Sequence, residues 1–217
     1  SQLVKHYKFG VILMRDGQEQ ENDMYGNDEP VPPEYERFLG FLGERVALKG
    51  FAKYRAGLDV KSDTTGTHSI YTTYRDFEIM FHVATLLPFD PHDPQQLHRK
   101  RHIGNDIVVL VFNAGTTPFD PSVTHSNFNP VFVVVQCDPP SDPPRYKVAT
   151  VAKAPMAKFG PPLPEQGIFP SAASGFREWL LTKLINAERA AYRAPAFRSK
   201  ISQTRKALLQ DIIDKHK

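Results

Sequence analysis

The chain predicts an α/β fold, a central mixed β-sheet flanked by helices, with C-terminal helices packing on the domain. Two continuous apolar runs carry that expectation, residues 107–112 (IVVLVF) and 131–136 (VFVVVQ). Both are rich in β-branched residues and lack alternation, the pattern of strands buried on both faces. The third observation is helical: Phe176, Trp179, Leu180, Leu184 and Ala187 fall three and four apart, an apolar stripe that needs a sheet to cover. At 217 residues and 41% apolar content the chain can bury one substantial core, so a single domain over 1–217 is expected, its C-terminal helical part covering about 171–217.

The elements follow in order. Tyr7 to Met14 reads as a strand, and the acid-rich stretch from Asp16 to Pro30 as a polar loop. Pro32-Pro33 opens a helix that places Tyr35, Phe38, Leu39 and Leu42 on one core-facing stripe. Ser69 to Tyr74 and Glu78 to Leu87 are strand-like, the second closed by Pro88, and Asp90 to Asp93 is a turn. Asp93-Pro94 supplies a helix start, with Asp as cap and Pro at the first position, and Gly104 its end, a helix of about three turns. Beyond the Ile107 strand, Asn113 to Pro118 is a turn, Asp138 to Pro144 an exposed connection with four prolines, and Tyr146 to Val151 a further strand. Phe159 to Pro164 reads as a rigid proline-rich strap. A last helix from Pro195 is expected to carry Ile201, Ala207, Leu208, Ile212 and Ile213. Cys137 ends an apolar run with no activating neighbour, so it reads as structural.

The helix before Gly104 holds the most informative residues, His98-Arg99-Lys100-Arg101-His102, which lead through Ile103-Gly104 into Asn105-Asp106. Helical spacing aligns His98, Arg101 and His102 behind Asn105, a carboxamide at the tip of a basic stripe suited to an anionic target. Asp106 reads as a structural group that ties down the junction. His98 and His102 stand four apart, but no zinc-protease Glu or third ligand accompanies them, so no metal is expected. His82, inside the apolar run from Ile79 to Ala84, reads as a satisfied, partly buried histidine. No phosphate-binding loop, dinucleotide fingerprint or nucleophile elbow occurs, so the chain shows no nucleotide site of its own.

Residues 100–106 (KRHIGND) resemble the signature of the GTPase-activating domains for the small GTPase Rap, and the resemblance covers most of the chain. It extends through Leu48 to Phe51, Tyr54 to Ala56, Thr65 to Tyr74, Glu78 to Val83, Phe159 to Pro164 and Leu180 to Glu188. The first half, with Met24-Tyr25-Gly26-Asn27, is most similar to the spine-associated and signal-induced-proliferation-associated Rap activators. The resemblance implies that Asn105 is the catalytic residue, inserted into the partner's nucleotide site to orient the water that attacks the γ-phosphate. A carboxamide donates and accepts at once and does not titrate, so it suits that task. The resemblance implies an Asn-based mechanism without an arginine finger, so Arg99, Lys100, Arg101 and His102 are expected to bind the GTPase, the alternatives being that Lys100, Arg101 and His102 hold the helix and that Arg99 belongs to a solvated basic face at the helix C-terminus. Arg205 joins them by analogy with an Arg-Thr-Arg motif of relatives; this chain has Gln203 at the first of those positions.

The implied partner is a small GTPase in its GTP form, Rap first, with GTP and Mg bound by that partner and no cofactor of the domain's own. Tuberin, which acts on Rheb, shares the His-x-Gly-Asn-Asp core, so Rheb is the alternative substrate, and a non-catalytic GTPase-binding module is the alternative role. Residues 1–97 hold 10 Lys or Arg against 15 Asp or Glu, and residues 98–217 hold 17 against 9. That asymmetry could favour nucleic acid. The cations are dispersed and no nucleic-acid motif accompanies them, so none is expected to bind. The longest apolar runs fall far short of a membrane span, and one cysteine suits a reducing compartment. The expectation is a cytoplasmic domain, recruited to membranes by other domains or by a lipidated GTPase. It is also expected to be monomeric, the upstream dimerisation domain of such activators being unmatched here.

Overall fold

The apolar runs become neighbours in one sheet. The computed structural model describes residues 5–126, 128–138, 144–170, 175–199, 202–203 and 206. Their strands are β1 (His6–Met14), β2 (Glu44–Ala47), β3 (His68–Tyr74), β4 (Phe77–Val83), β5 (Val108–Asn113), β6 (Val131–Asp138), β7 (Arg145–Ala152) and β8 (Ile168–Phe169). They run in the order β2-β3-β4-β1-β5-β6-β7-β8. The four central strands are parallel, with Val11 of β1 opposite Val83 of β4 and Leu110 of β5. The outer strands on both sides pair antiparallel. All six residues of β5 are buried, as its lack of alternation requires. β2 and β8, at the two edges, are short, and β2 is largely exposed, which limits the unpaired backbone a second chain could extend.

Among the described residues the sheet is covered by α1 (Glu21–Tyr25), α2 (Pro33–Leu42), α3 (Leu97–Ile103) and α4 (Phe176–Arg193). On one face α2 presents Tyr35, Phe38, Leu39 and Leu42, and α4 presents Phe176, Leu180, Leu184 and Ala187, to Phe9, Phe81 and Phe112. On the other, Met24 and Tyr25 of α1 and Ile103 of α3 pack with Leu48 and Leu58 against Ile12, Met80 and Val109. The Phe159 to Pro164 segment is a strap along α4. Lys183 Nζ donates to the carbonyls of Phe159 and Pro161, Asn186 to that of Gly160 and Trp179 Nε1 to that of Pro162, at 2.9–3.0 Å.

Several elements depart from expectation. The acid-rich loop after β1 contains α1, where Glu21 and Asp23 in the first turn complement the helix dipole. β4 stops at Val83 and gives way to a 3-10 turn over Ala84–Leu86. α3 has seven residues, about two turns, because Gln96 adopts a left-handed backbone (φ 47°) just before it. Asp93 accepts from the amides of Gln95 and Leu97 in a local turn, and Pro94 lies outside the helix. The helix expected from Pro195 is helical over 195–199, and its positions from Ile201 onward lie outside the described residues, except for 202, 203 and 206. Among the described residues no helix is long and apolar enough to cross a membrane, and no group of three or more His, Cys, Asp or Glu could hold a metal ion.

Candidate functional site

α3 ends at a turn in which every carbonyl from Lys100 to Asp106 accepts a hydrogen bond. Gly104 N–H donates to Lys100 at 2.6 Å, Asn105 N–H to His102 at 3.2 Å and Asp106 N–H to Ile103 at 3.0 Å. Asn105 Nδ2 folds back onto the Arg101 carbonyl at 2.7 Å. Ser126 Oγ donates to Gly104 at 2.6 Å, and Asn129 Nδ2 to Ile103 at 2.9 Å and to Asp106. Lys8 Nζ, from β1, donates to the Asn105 carbonyl at 3.1 Å. The usual orphan carbonyls of a helix end are thus satisfied by the turn itself, with help from Lys8 of β1 and from Ser126 and Asn129 of one loop. A Cβ on Gly104 would overlap the Lys100 carbonyl oxygen, so this tight closure needs glycine there.

Asp106 anchors the turn from below. Its buried carboxylate lies 3.0 Å from Lys8 Nζ and 2.8 Å from His82 Nδ1, while His82 Nε2 donates to the Ala56 carbonyl at 2.9 Å. Gly10, on β1, makes room for this: a Cβ there would come within 2.7 Å of Ile103 and 3.4 Å of Asp106 Oδ2. Glu188 of α4 is buried nearby. Desolvation, and next the charge of Asp106, push its carboxyl up to about 8.

Asn105 itself is exposed, with no partner for Oδ1 among the described residues. It lines an open groove of about 560 Å³ between α1, α3 and the 125–128 segment, together with Leu97, Lys100, Arg101, Asn22 and Phe128. Of the expected binding residues, Arg101 is exposed on this groove. Lys100 is committed to α1, 3.0 Å from Glu21 Oε2 and 2.5 Å from Asn22 Oδ1. Burial disfavours charge on Glu21, yet hydrogen bonds from His125 and Lys100 outweigh it and hold the carboxyl below its ordinary range.

Two expectations are corrected. Arg99 is fully buried and touches no partner surface: its guanidinium donates to the carbonyls of Tyr25, Asn27, Leu87 and Pro88 and pairs with Asp28 at 2.9 Å. It ties α1 and the segment after β4 to α3. His102 is no docking cation. Burial, then the neighbouring His82, His98 and Arg101, hold its pKa down to about 4, so it is neutral at pH 7. Its ring packs edge-on against His82 and His98. Arg205 lies outside the described residues; Gln203 is helical and exposed. Sequence reading missed the supports Lys8, Ser126 and Asn129. The one available signal was Gly10, since a glycine inside a strand marks a close approach.

The Rap/ran-GAP family model matches residues 24–206. The chain belongs to the Rap/ran-GAP family. It is 49% identical over 96% of its length to signal-induced proliferation-associated 1-like protein 1 of Mus musculus, and 48% identical over 97% to a GTPase-activating protein of Dictyostelium discoideum. It spans 12% and 21% of those proteins' lengths. The solved structure of the TSC2 GAP domain is 33% identical and superposes with a TM-score of 0.69, covering 84% of this chain and 96% of that one.

Proposed function

We propose that this Rap/ran-GAP domain stimulates GTP hydrolysis by a small GTPase, Rap first, with Asn105 as the group that reaches the bound nucleotide. One observation carries the reading: the exposed Asn105 carboxamide stands on a turn whose seven successive carbonyls are all bonded. Asn105 uses one Nδ2 hydrogen on Arg101, leaving Oδ1 to accept from a water and the second hydrogen to donate to a phosphate oxygen. Such a group aligns the water with the γ-phosphate, and alignment with charge stabilisation is most of what phosphoryl transfer asks of a protein. GTP and Mg belong to the GTPase. Arg101 docks the partner, and Lys100 holds the groove wall while lending its charge to the rim.

Single-turnover GTP hydrolysis by Rap and by Rheb, each with and without the domain, tests this. Rap should be accelerated, and Asn105→Ala should lose about 10²-fold or more of the stimulated rate while still binding GTP-loaded Rap. Stronger acceleration of Rheb would reassign the substrate, and unchanged stimulation by Asn105→Ala would remove Asn105 from the mechanism.

A further inference from the structure

We infer that Leu97 is an apolar docking anchor for the GTPase, at the far end of a row Leu97–Arg101–Asn105 that forms the partner-facing edge of α3. The inference rests on the reading of Asn105 as the inserted group. It follows from how α3 spends its side chains. Arg99 and Ile103 point into the protein, Lys100 is held by Glu21 and Asn22, and His98 packs on His102, which packs in turn on His82. Leu97 and Arg101 remain exposed, eight and four positions before Asn105, and all three line the same groove.

Leu97 is 59% exposed, more than any other large apolar side chain among the described residues. It has no packing role there to explain it. Arg101 likewise has no carboxylate within ion-pair distance among the described residues. At 1.5 Å per residue Leu97 sits roughly 12 Å along the row from Asn105, too far to touch the nucleotide that Asn105 reaches. A body that brings its nucleotide to Asn105 must lie along this row. Leu97 therefore meets the GTPase's own surface beside the nucleotide, an apolar side chain with an acidic group one helical turn away to face Arg101. An anchor so placed selects the GTPase and not its GTP, and it acts on ground and transition states alike.

The test is stimulated single-turnover hydrolysis by GTP-loaded Rap at varied concentrations of the chain, with direct titration of binding alongside. Leu97→Ser should raise the half-saturating concentration roughly tenfold or more, with the saturating rate within about twofold and an unchanged melting curve. Leu97→Met should restore it. Leu163→Ser, at another exposed leucine that lies on the strap and outside this groove, should change neither quantity. An unchanged half-saturating concentration in Leu97→Ser overturns the anchor while leaving Asn105 intact. A wild-type chain that neither binds nor stimulates Rap or Rheb overturns both readings together.

Discussion

Under α2 and α4 the sheet presents Phe9, Phe81 and Phe112 to a layer of rings, with Phe38 5.0 Å from Phe112 and Phe41 5.2 Å from Phe176. Under α3 it presents Lys8, Gly10 and His82, and what it meets there is Asp106 and a seven-residue helix with a single buried apolar side chain, Ile103. Both faces bury apolar area, but the end of α3, beside its cluster around Ile103 and Met80, is held in addition by named hydrogen bonds to carbonyls. Apolar packing tolerates small shifts of its parts, because dispersion and burial are non-directional. The hydrogen-bonded end of α3 does not, because hydrogen bonds weaken steeply with angle and distance. The demanding geometry lies at the turn that, on the proposed function, aims Asn105.

That division predicts separable losses. Phe38→Ala should cost about 3 to 5 kcal/mol, seen in denaturant melts, while stimulation per folded molecule stays unchanged; a larger loss of activity than of folded protein would erase the distinction. Asp106→Asn should cost less stability, about 1 to 3 kcal/mol, yet lower the saturating rate at least roughly tenfold by freeing the Asn105 turn. Equal effects of the two substitutions on rate would show that the faces are not specialised. Glu188 joins the faces, since it comes from α4 and feels Asp106. Its folded pKa of about 8 lies above the ordinary carboxylate value, so its contribution to stability is complete below pH 4.5 and is lost as pH rises toward 8 and beyond. Glu188→Gln should therefore stabilise the chain on the order of 2 kcal/mol at pH 9, with the gain vanishing near pH 4, read from melts across that range. His102, whose pKa is lowered, works in the opposite direction, and its contribution is lost as pH falls from 6.5 to 4. At the small end, Arg45→Ala removes an exposed pair with Glu36 and should change stability by about 0.5 kcal/mol or less.

The apolar face was legible in the sequence. Tyr35, Phe38, Leu39 and Leu42, the α4 stripe and the β5 and β6 runs all appear where their periodicity puts them, because burial is written locally in side-chain type. The polar face was legible at the exposed Asn105, at Asp106 as the group that ties down the junction and at His82 as a satisfied buried histidine, and much less elsewhere. Arg99 reads as surface charge because the carbonyls that receive it belong to residues 25, 27, 87 and 88, and nothing local reveals that these four carbonyls converge. Asp93-Pro94 reads as a helix start because the pattern is right, but the Gln96 side chain bonds to Asp90 and Asp93 and holds the backbone in a turn until Leu97. α1 was hidden among acids that are loop formers by composition and favourable first-turn residues by position.

The seven capped carbonyls at the end of α3 also bear on encounter. A loop that must be ordered by its partner gives up conformational entropy at that moment, about 1 to 2 kcal/mol for each backbone residue fixed. Residues 100–106 gave it up when the chain folded, so association at Asn105 draws little from that source. On the proposed function, a GTPase meets a surface already in its binding shape, and the domain's side of the complex adds little ordering cost.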